Sequence, residues 1–217
     1  MTIDKNDLLN SILASISRID FMKSTDIPNI DLYMDQVTSF MEKQLKSTKR
    51  NEEDKVLTKT MINNYAKNNL LPAPIKKKYS KEHLLLLTFI YYFKNILSMK
   101  DIETLLKPIT ENYFQSDNAM NISHIYDEVC AFELKRTKLI QKDIESIFKN
   151  SMETFEDVDG DDKEYLQFFS FVCSLILDVY VKQLLIEKLI DVTAPVIEEK
   201  EGTDKEKKKI DIKKGYC

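Results

Sequence analysis

Three glycines and five prolines serve the whole of a 217-residue chain. Tight turns, short hairpins and phosphate-cradling loops all lean on glycine, so a chain this poor in it is confined to long helices joined by few sharp corners. Period-two alternation is nearly absent, while apolar residues return every three or four positions, and the expected fold class is all-α, mainly helical. Apolar residues are 43% of the chain, enough for a core.

Taken in order, Leu8, Leu9, Ile12, Leu13, Ile16, Ile19 and Phe21 space a first amphipathic helix over 6–22. A second begins near Asp31, a residue suited to capping, and buries Leu32, Val37, Phe40, Met41 and Leu45. A charged connector, 46–55, follows. Thr58 then starts a short helix over 59–68, with Met61, Ile62 and Tyr65 on one face and Lys59, Thr60, Asn63, Asn64, Lys67 and Asn68 on the others. Asn69 stands where a left-handed residue ends a helix. Pro72 and Pro74 stiffen the exit, and Ile75–Tyr79, with Lys76, Lys77 and Lys78, is expected to form the edge of a small hairpin.

Ser80 caps a helix over 81–97 that is apolar almost all round, which implies burial. Ser98 and Asp101 resemble a capping box for a further helix, which Pro108 is expected to stop. Beyond a polar loop, two long helices are expected over about 122–153 and 163–192. The residues 195–217 read as a charged, disordered tail. The expected organisation is an N-terminal helix (1–30), a helix-turn-helix-like domain (31–110), a C-terminal helical region (111–194) and the tail.

The net charge is −4, yet it is unevenly spread. Nine basic residues face three acids between Lys49 and Lys81, a local excess of six positive charges against minus ten elsewhere. The exposed face of the 59–68 helix combines asparagine, which pairs bidentately with adenine, with lysine and threonine, which reach phosphates. Any solvated helix carries such residues too. The Lys76, Lys77, Lys78 run behind it adds phosphate contacts whose strength falls with salt.

Catalytic and metal signatures are missing. The turn 157–162 has its glycine at the fourth position of a would-be calcium loop and Phe168 at the twelfth, where a glutamate is needed. His83 and His124 lack partners at ligand spacing, and His83, three residues past Ser80, reads as a surface or capping residue. Cys130, Cys173 and Cys217 form no paired pattern. No cofactor, no metal and no enzyme activity are expected. The N-terminus lacks the pattern of a signal peptide, and the longest apolar run, Phe168–Leu177, is shorter than the roughly 20 residues that span a bilayer. A cytoplasmic protein without membrane contact is expected.

Met61–Pro72, then Lys78, Tyr79 and Ser80 with an apolar helix, then SMKDIETLL, resemble the DNA-binding head of MerR-type regulators. Tyr65, Leu70, Leu71, Tyr79 and Ser80 match that pattern, whereas Asn63 and Asn64 stand where the family has Arg and Tyr, and Asn69 replaces its Gly. From about Tyr33 to Leu139, and especially in DKVLTKTMINNYAKNNLLPAPIKKKYSKEH, the chain is similar to the bacterial family known as domain of unknown function 1836. The resemblance implies a MerR-like winged helix-turn-helix.

The expectation is thus a transcriptional regulator of unknown effector. It binds double-stranded DNA through Lys59, Thr60, Asn63, Asn64, Lys67 and Lys76, Lys77, Lys78, and forms a homodimer through the C-terminal helices. The alternative is a protein-interaction module of the same shape that does not bind DNA.

Overall fold

The computed structural model describes residues 5–17, 21–116 and 118–214. The expected fold class holds. Seven α-helices, two short 3-10 turns (Ser24–Asp26 and Lys46–Thr48) and one two-stranded sheet make up the regular structure among the described residues. The chain divides into two compact units, one of Met1–Asp26 with Ser123–Lys182, the other of Ile27–Ile122 with Gln183–Cys217.

The second unit holds the Asn-rich helix. Strand β1 (Leu32–Tyr33) leads into α2 (Met34–Gln44). The helix therefore begins past Asp31, because Leu32 and Tyr33 are taken up in pairing with Tyr79 and Lys78 of β2 (Lys78–Tyr79), and Gln36 instead accepts the free Tyr33 N–H at 2.9 Å. Helix α3 (Lys59–Lys67) starts as Thr58 foretells, its hydroxyl accepting the Met61 N–H at 3.2 Å. Helix α4 (Lys81–Phe93) is buried without a break from His83 to Ile90, as a helix apolar on all sides must be. With Val37, Met41, Ile62, Tyr65, Leu70 and Leu71 it forms the core of this unit.

Helix α5 (Met99–Tyr113) begins at the Ser98 cap, whose hydroxyl accepts the Asp101 N–H at 3.2 Å. Pro108 does not stop it. The ring removes one backbone donor, but buried Ile102 and Leu106 anchor the turns before it, and the Thr110 hydroxyl donates to the Lys107 carbonyl at 2.8 Å just beyond.

The 46–55 connector is tied down rather than loose. Lys49, whose side chain is 8% exposed, donates to Glu42 Oε1 at 2.8 Å, and the Val56 N–H donates to Glu42 Oε2 at 3.2 Å. Lys94, the residue that caps the end of α4, completes the clamp by donating to the Val56 carbonyl at 3.1 Å.

The first unit contains α1 (Lys5–Ser17), α6 (Ile122–Met152) and the first part of α7 (Asp161–Lys214). Ile19, expected in the first helix, lies outside the described residues, as does Cys217. Gln141 of α6 donates to the Leu13 carbonyl at 3.2 Å. The turn between α6 and α7 is held by Gln167, whose amide donates to the carbonyls of Met152 at 2.7 Å and Thr154 at 3.2 Å, and by Phe148 edge-on to Phe171. The acidic 157–162 segment turns through Gly160 at φ 73°, a conformation glycine adopts freely.

Helix α7 departs from expectation twice. It continues through Lys214, across the segment whose composition reads as disordered. Its Asp162–Ala194 stretch also contains an 18-residue window of mean hydropathy 1.7, long and apolar enough to cross a bilayer by length and composition, although Phe168–Leu177 alone is too short. Ser170, Ser174 and Asp178 interrupt the run in sequence but not the helix, and Lys182 neutralises Asp178 from one turn on, at 2.6 Å. Apolar side chains stand exposed along it, among them Phe169, Ile176, Val179, Leu185 and Val192.

Candidate nucleic-acid interface

Helix α3 presents the expected side chains together. At 100° per residue, Lys59, Asn63, Lys67, Thr60 and Asn64 fall within an arc of roughly 140°, and all five are exposed. Ile62 and Tyr65 occupy the opposite side and are buried. The apolar pair fixes which way the polar arc points.

Local geometry ends the helix where the sequence does. Asn69 is left-handed at φ 57°, its N–H reaches the Ala66 carbonyl at 3.4 Å, and the Leu70 N–H reaches the Tyr65 carbonyl at 2.9 Å. Those two bonds are the pattern of a Schellman motif, with buried Leu70 covering the last turn. Lys59 forms an ion pair with Asp35 in the first turn of α2. Both partners are largely exposed, so the pair exchanges readily with solvent or another anion.

The lysine run is a hairpin turn. Ile75 bridges to Lys78, whose N–H donates to the Ile75 carbonyl at 2.9 Å, and Lys76 and Lys77 between them take φ 51° and 64°. Two consecutive positive φ values mark a type I′ turn, which matches the twist of the flanking strands. Lys76 and Lys77 are exposed at its tip. Lys78 is not at the tip; its ammonium lies 5.2 Å from the centre of the Tyr33 ring.

Residues 22–129 match the family model described as Domain of unknown function (DUF1836). Over that segment the chain is similar to DUF1836. The match begins and ends earlier than the resemblance over about 33–139 implied. No curated protein and no solved structure matches the chain. The two ends of the matched segment are stitched together: Tyr126 donates its hydroxyl to the Met22 carbonyl at 2.6 Å, and Asp127 accepts the Ser24 hydroxyl at 2.5 Å and the Ser24 N–H at 3.2 Å.

Within the matched segment, His83 is neither exposed nor idle. It is 1% exposed, and its Nδ1 accepts the Ser80 N–H at 3.0 Å, closing a capping box at the start of α4. Tyr79 and Phe114 stand edge-on to its ring. Burial holds its pKa below the usual histidine value, against the opposing pull of the Ala73 carbonyl. Spacing from Ser80 shows the capping role; burial depends on Phe114, 31 positions away in the sequence, and no local signal carries it.

Sequence reasoning also passed over two concavities along α2. One, of about 310 Å³, lies between Ser39, Glu42 and the start of α3 at Thr58 and Lys59. The other, of about 480 Å³, is lined by Lys43, Lys46, Lys49, Arg50 and Glu52. It exists because the Glu42–Lys49 bond folds the connector back against α2.

Proposed function

We propose that the chain is a DNA-binding transcriptional regulator whose head is a MerR-like winged helix-turn-helix, with α3 as recognition helix and the Ile75–Lys78 hairpin as wing. The observation that carries this reading is the exposed arc of α3, in which Asn63 and Asn64 are flanked by Lys59, Thr60 and Lys67 with no apolar side chain among them. Asparagine suits adenine edges in a major groove, and lysines at the margin suit the phosphates on either side. The wing tip adds Lys76 and Lys77.

One short helix per head gives little affinity, and a homodimer that sets two heads on successive major grooves supplies the rest. The exposed apolar faces of α6 and α7 are the natural place for a second copy, since monomers rarely leave more than about 600 Å² of contiguous apolar surface open. In this reading the protein works in the cytoplasm, and α7 is covered by protein rather than lipid.

Titrating a mixed-sequence duplex against salt tests the proposal. Wild type should bind with a steep slope of log affinity on log salt, and Lys76→Glu with Lys77→Glu should reduce both affinity and slope. No binding at low salt, or an unchanged slope in the variant, rejects it. A protein-interaction module is the second reading. It is favoured by the Lys59–Asp35 ion pair, which engages one cation of the arc within the protein.

A further inference from the structure

The concavity at the end of α2 is a charged site with no role in the scaffold. Two acids beside it are already engaged. Glu42 is taken by Lys49 and the Val56 N–H, and Asp54 accepts the backbone and side-chain N–H groups of Asn51 at 3.0 and 3.2 Å. Lys49 is engaged too, donating to Glu42 and to the Glu52 carbonyl at 2.5 Å. Lys43, Lys46 and Arg50 remain, all exposed and without an ion pair among the described residues, facing the single carboxylate of Glu52.

A structural account of these cations covers part of the set. Lys43 lies in the last turn of α2 and Lys46 just past it, where cations offset the negative end of the helix dipole by about 0.3–1 kcal/mol each. Arg50 lies beyond that end, and the dipole does not require a concave arrangement. Guanidinium beside two ammonium groups around a cleft of about 480 Å³ is chemistry suited to a phosphodiester.

Position then selects among phosphates. Lys43 stands eight residues along α2 from Asp35, the partner of Lys59, which at 1.5 Å per residue is about 12 Å. A major groove is also about 12 Å wide, so a contact made on one of its phosphate walls has the other wall at about that distance. The smaller concavity at Ser39 and Thr58 lies between the two points along α2.

We propose that Lys43, Lys46 and Arg50 form a phosphate-binding site for the backbone of a DNA duplex, a third contact besides the α3 arc and the hairpin tip. The site rests on the DNA-binding reading of the head. It anchors the duplex from the far end of α2, while α3 and the hairpin hold the near side. Lys49 is not a ligand but the strut that keeps the cleft open.

The test uses the full chain and a mixed-sequence duplex, with affinity measured by fluorescence anisotropy across a salt series. Lys43→Ala/Lys46→Ala/Arg50→Ala should lower the log–log salt slope by about three and weaken binding about ten- to a hundredfold at moderate salt. The wing variant Lys76→Ala/Lys77→Ala should lower the slope by about two, and the combined variant by the sum of both. Circular dichroism melting confirms that the variants are folded, and the single reversal Lys46→Glu should weaken binding more than Lys46→Ala. If wild type binds and the triple variant keeps its affinity and slope, the cleft site is wrong and the DNA reading stands. If the triple variant loses inorganic phosphate but keeps the duplex, the cleft takes a free phosphate and the proposal is overturned. If wild type does not bind duplex at low salt, both readings fall.

Discussion

The backbone N–H of Ser80 donates to Nδ1 of His83 at 3.0 Å, and the Ser80 hydroxyl lies 2.9 Å from the same nitrogen. Nδ1 is therefore the acceptor and Nε2 carries the proton of the neutral ring. Protonating Nδ1 would remove that acceptor and place a buried charge between Tyr79 and Phe114. Burial lowers the pKa of His83 below its unfolded value, with the Ala73 carbonyl foremost, then Glu82, the Pro72 carbonyl and Asp31, pulling the other way. The unfolded chain then binds the proton more readily, so stability is full above the unfolded pKa, about 6.5, and is lost as pH falls through the folded one. Urea unfolding at pH 7.5 and pH 5 checks this: the midpoint should drop at pH 5 in wild type and change less in His83→Gln. An equal drop in both would locate the pH dependence elsewhere.

The Glu42–Lys49 bond should matter more than a surface ion pair, because Lys49 is nearly buried. Glu42→Gln leaves that ammonium without its counter-charge and weakens the acceptor of the Val56 N–H, and should cost about 1–3 kcal/mol. Lys49→Met in the Glu42→Gln background should recover part of the loss, since the buried charge is gone. The lysine at 49 holds the carboxyl of Glu42 below its usual value, so this contribution too is lost as pH falls through the folded carboxylate range. A double-mutant cycle from denaturant midpoints measures the coupling.

How much of this was legible in sequence follows from how far apart the partners lie. Thr58, Asn69, Ser80 and Ser98 act on backbone groups within three or four residues, and all four stand where their residue types place them. Pairing of Leu32 with Tyr79 joins positions 47 apart through two-residue strands, too short to show a period, and it displaced the start of α2. Pro108 stops a helix in isolation but not one anchored by Ile102 and Leu106. The polar residues of α3 were visible as a set because helical periodicity alone gathers them. The Lys43, Lys46, Arg50 cleft was not, because its walls meet only when Glu42 captures Lys49.

Lys76 and Lys77 set the stability of the hairpin against its charge. Each holds a positive φ that L-residues other than Asn and Gly adopt at about 1–2 kcal/mol. Lys76→Asn/Lys77→Gly supplies the preferred type I′ pair. The variant should therefore be more stable by about 1 kcal/mol and yet bind duplex more weakly. A thermal melt alongside a binding titration reads both signs. Lower stability would mean that the lysines make contacts that outweigh the backbone strain.

Asn63 and Asn64 should carry sequence preference, whereas Lys67 should carry salt dependence. Asn63→Ala/Asn64→Ala leaves the charge untouched, so the salt slope should hold while discrimination between duplexes narrows by about 1–3 kcal/mol per lost bidentate pair. Lys67→Ala should weaken all duplexes alike and lower the slope by about one. Selection of bound sequences from a random pool, run on both variants, separates the two. A slope change in the asparagine variant would show that these side chains grip phosphate.

The apolar side of α7 provides the remaining test. Ile176 and Val179 are exposed, 60% and 57%, and lie three residues apart on one side of the helix. If a second copy covers them, Ile176→Glu/Val179→Glu buries two carboxylates against an apolar surface in the dimer but meets only water in the monomer. Dissociation is then expected without loss of helix content or melting cooperativity, seen as halved mass in sedimentation equilibrium. Duplex affinity should fall with it, by about 10²–10⁴-fold at concentrations where the monomer prevails, because two linked heads bind more tightly than one. A wild type that sediments as a monomer would remove the dimer from the mechanism. A variant that stays dimeric would move the contact to the α6 residues Phe132 and Leu139, exposed at 60% and 65%.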